Sequence, residues 1–305
     1  MNTEYQTRSI VEDYLIRVIA RETGVRGLAC VTTHLANEAA RRHEAAPTAA
    51  AALARGLTGG ALMGALLKIG QRVAIKLEGD GPLEKLLVES DAYGRIRGYV
   101  GNPQLNLPVV NGQHNVGGAV GDIGFLTVVR DLKLKEPVES VVPLQTGTVD
   151  ADLTFFLNQS EQVLSAVEIG ALTDETGQII ASSGFLLQAL PPYEEKSIQQ
   201  LIDRVRALPP IEKLLYEGEK PEDLLALIFT GMAYEVLEKR PLLYQCNCSQ
   251  ERSEQALINL GRAGLEDLLA SEGEAVVNCH FCGESYLFDA DDLVMLLAGM
   301  PSQNE

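Results

Sequence analysis

The sequence contains no tryptophan, only five cysteines, and no apolar run long enough to cross a bilayer. Its best membrane candidate is the stretch GGALMGALLKIG, which is interrupted by Lys68, whereas a transmembrane helix needs about 20 apolar residues. A secretory signal is not expected either, because Glu4, Glu12 and Asp13 fall among the apolar positions of the first residues. We therefore expect a cytoplasmic protein with no membrane partner.

Positive charge is also scarce. The chain has 25 basic against 42 acidic side chains, which gives a formal net charge of -17. An acidic surface repels the phosphate backbone of nucleic acids. We therefore expect proteins, cations or small molecules as partners, and no nucleic acid.

The N-terminal part of the sequence, residues 1–191, mixes strand and helix patterns. Because the two kinds of element do not alternate regularly, we predict an α+β fold with largely antiparallel sheets for this core domain. The Ala/Leu-rich stretch from Glu38 to Lys68 has helical propensity and is punctuated by Pro47 and by Gly59–Gly60. Strands are predicted in RGLACVTTHL, on both sides of the Gly79–Pro82 turn, after Gly94, in GTVDADLTFFL, and in QIIASSGFLLQAL after a turn at Glu175–Gly177.

Residues 192–240 are predicted to be a helical linker region. Pro209–Pro210 ends a helix with one apolar stripe, formed by Ile198, Leu201, Ile202, Val205 and Leu208. A second helix is predicted to begin at Pro221, and its apolar residues are Leu224, Leu225, Leu227 and Ile228. A helix this short is marginal alone, so both must lie on another surface. The alternative to any special role is an ordinary packed helical region.

Four of the five cysteines lie in a small C-terminal zone, residues 241–295, as the two pairs Cys246/Cys248 and Cys279/Cys282. Two such pairs can supply four thiolates to one tetrahedral Zn²⁺. The first pair is one residue shorter than the usual Cys-x-x-Cys, and His280 lies inside the second. Four sulfur ligands fill the coordination shell, so we predict a closed zinc site. Dithiol pairs that bind no metal remain the alternative.

Zinc in a small domain contributes on the order of 10–16 kcal/mol, and whole domains are stable by only about 5–15 kcal/mol. Loss of the ion is therefore expected to unfold this zone. Because disulfides form from the same sulfurs that bind the metal, an oxidant could turn a redox event into unfolding. A purely structural zinc site is the competing interpretation.

Several longer blocks place these cysteines in a known context. CNCSQERSEQALINLG and CHFCGESYLFDADDL, together with GDGPLEKLLVESDAYGRIRGYVGNP, GFLTVVRDL, QSEQVLSAVEIG and SGFLLQALP, resemble the 33 kDa chaperonin family, the redox-regulated heat-shock holdases of the bacterial cytoplasm. The resemblance covers essentially the whole chain. One departure is Ser182–Ser183 before Gly184, where smaller residues are expected.

The resemblance implies a three-layer α/β sandwich core, a helical linker and a redox-switch domain. In the reduced form Cys246, Cys248, Cys279 and Cys282 would bind one Zn²⁺ and keep the protein inactive. Oxidation would form the disulfides Cys246–Cys248 and Cys279–Cys282, release zinc and unfold the C-terminal region. The chain would then bind unfolding client proteins without ATP and associate as a homodimer. Opening of the linker would expose the client-binding residues Ile198, Leu201, Ile202, Val205, Leu224, Leu225, Leu227 and Ile228.

Two other classes of function compete with this interpretation. An enzyme is disfavoured because the sequence has no nucleophile–His–acid grouping and no paired-carboxylate motif. A zinc-ribbon adaptor for nucleic acid is opposed by the net charge of -17. Cys30 lies in an apolar strand pattern and is predicted to be a buried free thiol.

Overall fold

The computed structural model describes residues 12–110, 112–174 and 176–300. Glu4 of the N-terminal stretch and Glu175 of the predicted turn lie outside these ranges. The chain divides into two compact units, Met1–Gln245 and Cys246–Glu305. The three-part division at residues 191 and 240 stays a prediction.

The described residues form strands and helices throughout both units. The strands are β1 (Tyr14–Ala20), β2 (Val25–Val31), β3 (Arg72–Gly79), β4 (Leu86–Asp91), β5 (Arg95–Val100), β6 (Gly124–Asp131), β7 (Val138–Pro143), β8 (Ser165–Thr173), β9 (Ile179–Ala189), β10 (Glu235–Pro241), β11 (Leu243–Tyr244), β12 (Ala275–Asn278) and β13 (Ser285–Phe288). The helices are α1 (Thr33–Arg42), α2 (Pro47–Gly64), α3 (Val116–Val120), α4 (Val149–Gln159), α5 (Glu195–Ala207), α6 (Ile211–Glu217), α7 (Pro221–Ile228), α8 (Gln250–Ile258), α9 (Gly261–Ser271) and α10 (Ala290–Gly299).

Two sheets build the first unit. The first sheet has the strand order β10-β1-β2-β9-β8, and the second has the order β11-β5-β4-β3-β6-β7. Neighbouring strands are antiparallel except for β11, which pairs with β5 in parallel. Helix α2 contacts strands of both sheets, and one core cluster joins its side chains to theirs. The predicted α+β sandwich with largely antiparallel sheets is thereby confirmed.

Helix α2 continues through Gly59 and Gly60, although two adjacent glycines in the sequence suggested an interruption of the helix at this point. A Cβ on Gly60 would lie 2.5 Å from Val88 Cγ1, and one on Gly59 would lie 2.9 Å from Leu153 Cδ1. Two glycines cost helix propensity, about 1 kcal/mol each. Here they let the helix backbone approach its neighbours closely, and that close packing offsets the lost propensity.

One strand prediction is wrong. The stretch GTVDADLTFFL forms helix α4, not a strand. Asp150 and Asp152 occupy its first turn, where the helix dipole favours acidic side chains. Leu153, Phe156 and Leu157 are buried on one face at helical spacing, so the apolar period of the stretch is close to 3.6 rather than 2.

The other predicted strands agree with β2, β3, β4, β5 and β9. Helix α5 ends at Ala207, just before Pro209–Pro210, and α7 begins at Pro221 as expected. Strand β10 within the predicted linker was not foreseen. No helix within the described ranges is long and apolar enough to span a membrane.

The departure at Ser182 has a structural role in this chain. Its hydroxyl is fully buried and lies 3.0 Å from the Thr32 hydroxyl and 3.1 Å from that of Thr58. Since a buried hydroxyl needs a partner, the two threonines satisfy it. Cys30, on β2, is fully buried as predicted.

Candidate metal centre

The second unit is built around the hairpin β12–β13, which pairs Ala275 with Phe288 and Asn278 with Ser285. Its small core is formed by side chains of α8, α9, the hairpin and α10. The buried members are Leu257, Leu265, Ala275, Phe288, Leu293 and Leu297. So few buried side chains leave little apolar area to stabilise the unit, and a domain of this size is marginal without a metal or crosslink.

The hairpin loop carries the second cysteine pair. The Cys279 amide donates to the Glu284 carbonyl at 2.8 Å, and the Gly283 amide donates back to the Cys279 carbonyl at 2.8 Å. Gly283 has a φ of +71°, a conformation that glycine adopts without steric cost. This tight turn holds the Cys279 and Cys282 side chains close together.

The first cysteine pair directly precedes helix α8. Ser249 is the N-cap of that helix, and its hydroxyl accepts from the Arg252 amide. Cys246 and Cys248 therefore lie next to the N-terminus of this helix. The single residue between them, Asn247, is exposed.

The four sulfur atoms converge, all lying within 4.8 Å of one another. Cys246 Sγ is 3.6 Å from Cys279 Sγ, and Cys248 Sγ is 3.3 Å from Cys282 Sγ. Sulfurs bound to one tetrahedral zinc ion at about 2.3 Å lie about 3.8 Å apart. The donor set and its spacing therefore fit a four-thiolate ion site. His280 is exposed and is not one of this group.

Burial raises the pKa of Cys282, and its hydrogen bonds with the other three thiols raise it further. Burial likewise raises the pKa of Cys279. Four thiolates at these distances repel one another strongly. A cation bound among them removes that repulsion, and metal-bound thiols are deprotonated.

The linker helices α5, α6 and α7 contribute to a second apolar cluster with strands of the first sheet. The predicted client-binding residues of α5 and α7 differ in their exposure. Leu201, Leu224, Leu225 and Ile228 are buried, while Ile198, Ile202 and Val205 are partly buried. Leu227 is 46% exposed. Helices α5 and α7 thus cover an apolar sheet face, and the client-binding role of these residues stays a prediction.

Packing beneath α5 is incomplete. A pocket of about 210 Å³, partly open to solvent, lies between part of the helix and the sheet and is lined mainly by apolar side chains, among them Val25, Leu187 and Ile202. Empty volume of this kind forfeits dispersion contacts. At this point helix α5 therefore makes fewer apolar contacts with the sheet than close packing would give.

Three comparisons with known proteins agree. The family described as Hsp33 protein matches residues 13–289. The chain is 48% identical over 290 residues to the 33 kDa chaperonin of Geobacter sulfurreducens, covering 95% of this chain and 96% of the relative. It is 40% identical to the 33 kDa chaperonin of Geobacillus sp., with 94% and 97% covered.

The chain belongs to the Hsp33 family. The crystal structure of the 33 kDa chaperonin from Thermotoga maritima superimposes with a TM-score of 0.88 at 33% identity, covering 94% of this chain and 98% of that one. The resemblance inferred from the sequence is confirmed, and the chain is a chaperone. The binding of unfolded client proteins follows from membership of this chaperone family.

Tyr286, on β13, is a residue of this Hsp33 site that sequence reasoning missed. Its hydroxyl donates to Cys248 Sγ at 3.1 Å, and this bond is the main cause that raises the pKa of Tyr286. Its position, four residues after Cys282, was the only signal in the sequence. A hydrogen bond to a ligating sulfur orients it and stabilises its negative charge.

We expect Tyr286→Phe to weaken metal binding by about 10–100-fold, the usual effect of losing such a contact to a ligand. The variant keeps the ring and removes only the donor. A competition titration against a chromogenic chelator measures the affinity. Tyr93→Phe, at an exposed tyrosine of the first unit, is the control and should bind metal like the parent.

An acidic cluster lies beneath α6 in this Hsp33 core. Burial, followed by the charges of Asp150 on α4 and Glu212 on α6, raises the pKa of Glu168 on β8 to about 7. The Arg55 guanidinium opposes the shift and donates to the Ile169 carbonyl at 2.8 Å. Gln113 donates to the Glu212 carboxylate at 3.1 Å. Glu168 therefore ionises near neutral pH.

This cluster predicts a pH dependence of core stability. Between its ordinary pKa of 4.5 and about 7, Glu168 keeps in the folded state a proton that the unfolded chain has lost. The free energy of unfolding therefore falls as pH rises through this window. Glu168→Gln should remove about 1–2 kcal/mol of the fall, after allowance for partial exposure. Urea unfolding of both chains at pH 5 and pH 8 measures it.

A second buried carboxyl group, Asp13, also titrates in this pH window, because burial raises its pKa to about 6. Its contribution remains in both chains and cancels in their difference. Equal pH slopes for the parent and Glu168→Gln would contradict the assignment.

Proposed function

We propose that the chain is a redox-controlled holdase whose four cysteines bind one Zn²⁺ in the reduced, inactive state. Cys246, Cys248, Cys279 and Cys282 would hold the ion as thiolates. Oxidation of the four thiolates to the disulfides Cys246–Cys248 and Cys279–Cys282, with four electrons passing to an oxidant such as peroxide or hypochlorite, would release it. The C-terminal unit would then unfold, the linker helices would open, and client proteins would bind without ATP.

The observation that carries this proposal is the convergence of the four sulfurs in a unit with a small apolar core. A structural zinc ion contributes on the order of 10–16 kcal/mol, more than a core of this size can supply alone. Removal of the ion should therefore convert this unit from folded to unfolded. The near-pair disulfides are proposed because the resemblance to this chaperone family implies them.

The linker supports the client-binding step. Opening α5, α6 and α7 would uncover the sheet residues beneath them, among them Ile16, Val18 and Phe185. A contiguous apolar patch of several hundred Å² is typical of a protein-binding surface. The formal charge of -17 would keep the opened molecule soluble through self-repulsion. We propose that the opened form also associates as a homodimer, and that the cycle operates in the cytoplasm, where thiols are normally reduced.

One experiment tests the proposal. Zinc-loaded reduced protein is treated with peroxide at raised temperature while a chromogenic chelator reports zinc release and light scattering reports aggregation of a heat-unfolding client. Zinc release accompanied by suppressed scattering is the expected result. Retained zinc, or release without client protection, would leave the zinc site as a structural element only.

Mass mapping of the oxidised product checks the disulfide pairing separately. The expected crosslinks are Cys246–Cys248 and Cys279–Cys282. Crosslinks between the pairs, such as Cys248–Cys282, would contradict the proposed pairing, although these sulfurs are 3.3 Å apart in the folded unit.

A further inference from the structure

A single segment, residues 235–245, forms an outermost strand of both sheets. Strand β10 is at the edge of the first sheet beside β1, and β11 is at the edge of the second sheet beside β5. The last backbone contact is the Gln245 amide, which donates to the Ile96 carbonyl at 2.9 Å. The next residue along the chain is Cys246, the first of the four clustered cysteines.

Strand β10 is attached through its backbone and through polar side chains, with Lys239 over the Tyr14 ring at 3.9 Å and Arg240 donating to the Ala92 carbonyl. None of its seven side chains is buried, and in the whole segment 235–245 only Leu242 is. The pairing with β1 is interrupted by a bulge that leaves Leu237 without an opposite residue. Strands that bury no side chains gain little hydrophobic stabilisation, so detaching β10 sacrifices backbone pairing and polar contacts but little apolar burial.

The exposed charge pairs of β10 add little to this attachment. Arg21 and Glu235 are 3.1 Å apart and both largely exposed, and Lys239 is 2.8 Å from Glu222 on α7. Exposed ion pairs of this kind contribute about 0–1 kcal/mol each. Since Glu222 belongs to the linker, opening the linker also removes the partner of Lys239.

Strand β1, in contrast to β10, buries most of its side chains. Five of its seven side chains are buried, Arg17 and Ile19 being the exceptions. An unpaired strand with such a sequence presents a row of free backbone donors and acceptors next to apolar side chains, and other chains add to it readily. In the described structure β10 occupies that edge with charged residues, which is a common form of edge protection.

We propose that the outer edge of β1 is a strand-addition site for extended segments of unfolding proteins, and that β10 occupies this site until the switch opens. The inference rests on the proposed function, because the linker must first be released. Main-chain hydrogen bonds would give a share of the affinity that any client sequence can supply, which suits a chaperone that meets many clients. Ile16, Val18 and Ala20 point into the apolar cluster under the linker, so an added strand would lie alongside the uncovered face.

Strand β10 also indicates which client segments fit best. It sets Glu235 near Arg21 and Glu238 near Arg17, the latter pair at 3.3 Å. When β10 leaves, both arginines lose these partners. Extended apolar segments that carry an acidic residue at one of these positions should therefore bind more tightly than segments with a lysine there.

Hydrogen exchange of fragments covering residues 14–20 tests the proposal. In an antiparallel pair about half of the β1 amides face β10. These amides should lose protection when the full chain is oxidised, and should regain it, with exchange slowed by about tenfold or more, when a heat-unfolded client is added. Light scattering of the same samples reports whether the client is held at all.

The possible outcomes distinguish a failure of the proposed function from a failure of the strand-addition proposal. If clients are not held, the proposed function fails, and the inference with it. If clients are held while the β1 amides stay protected before client is added, or remain unprotected after it, the inference alone is wrong. If protection returns without client and rises with protein concentration, a second copy of this chain occupies the edge and the client site is overturned.

A peptide of residues 235–245 provides the second measurement. Added in excess to oxidised protein, it should compete with clients for the β1 edge. Light scattering from the aggregating client should then rise by a factor of about two or more. A scrambled peptide of the same composition, and hence the same charge, is the matched control. Equal effects of the two peptides would contradict strand addition at β1.

Discussion

Cys279→Ser is expected to give a chain that holds unfolding proteins without any oxidant. Serine offers a neutral hydroxyl where the tetrahedral set needs a thiolate, and the remaining three sulfurs bind the ion far more weakly. Loss of even half of the roughly 10–16 kcal/mol from a structural zinc ion would exceed the stability left in a unit with so small a core. The C-terminal unit should therefore unfold, and the linker should open in the reduced protein.

Three measurements on purified Cys279→Ser protein check this. Metal content should fall from one ion to near zero, limited proteolysis should cut within residues 246–300, and client aggregation should be suppressed under reducing conditions. Cys30→Ala is the matched control, because Cys30 is fully buried in the first unit and outside the sulfur cluster. It should retain the ion and stay silent when reduced. A compact, silent Cys279→Ser protein would contradict the proposed switch.

The convergence of the four cysteines could be predicted from the sequence because its information is local. Cys279 and Cys282 are brought together by a turn that Gly283 makes possible, and Cys246 and Cys248 lie just before the N-cap Ser249. Spacing alone therefore indicated four ligands. Tyr286 was missed because a tyrosine hydroxyl has no spacing rule, and its contact with Cys248 joins residues 38 positions apart.

The fold was predictable where the spacing of apolar residues and the turn residues indicated the same structure, as at the Gly79–Pro82 hairpin. It failed at α4, where β-branched and aromatic residues favour a strand locally while Leu153, Phe156 and Leu157 repeat at helical spacing. Strand β10 was missed for a different reason. Its seven side chains carry no buried pattern, and only pairing with β1, more than 200 residues earlier, makes it a strand.

The failure to predict strand β10 concerns how the proposed switch transmits its signal. Segment 235–245 connects the linker to the first cysteine, and its pairing depends on contacts that no local pattern encodes. The linker itself can be tested apart from the metal, since α7 presents buried and exposed leucines within one helix. The two steps, ion release and linker opening, are therefore separable by mutation.

Leu225→Ala is expected to make the reduced protein hold clients while its zinc stays bound. Leu225 is fully buried in the cluster between α7 and the first sheet, and a buried Leu→Ala change costs about 2–5 kcal/mol. Every 1.4 kcal/mol shifts the ratio of docked to open linker by about tenfold. An eight-residue helix has little other stabilisation to offset such a loss.

The matched comparison is Leu227→Ala, two residues further along the same helix, at a side chain that is 46% exposed. The two variants lose the same atoms from the same helix and differ only in burial. Leu227→Ala should leave the linker docked and the reduced protein silent, with one ion bound. Client scattering, metal content and free-thiol counts of both variants under reducing conditions give the answer. If Leu225→Ala is equally silent with its ion in place, or becomes active only by losing the ion, then linker docking does not limit client access and the metal centre alone controls it.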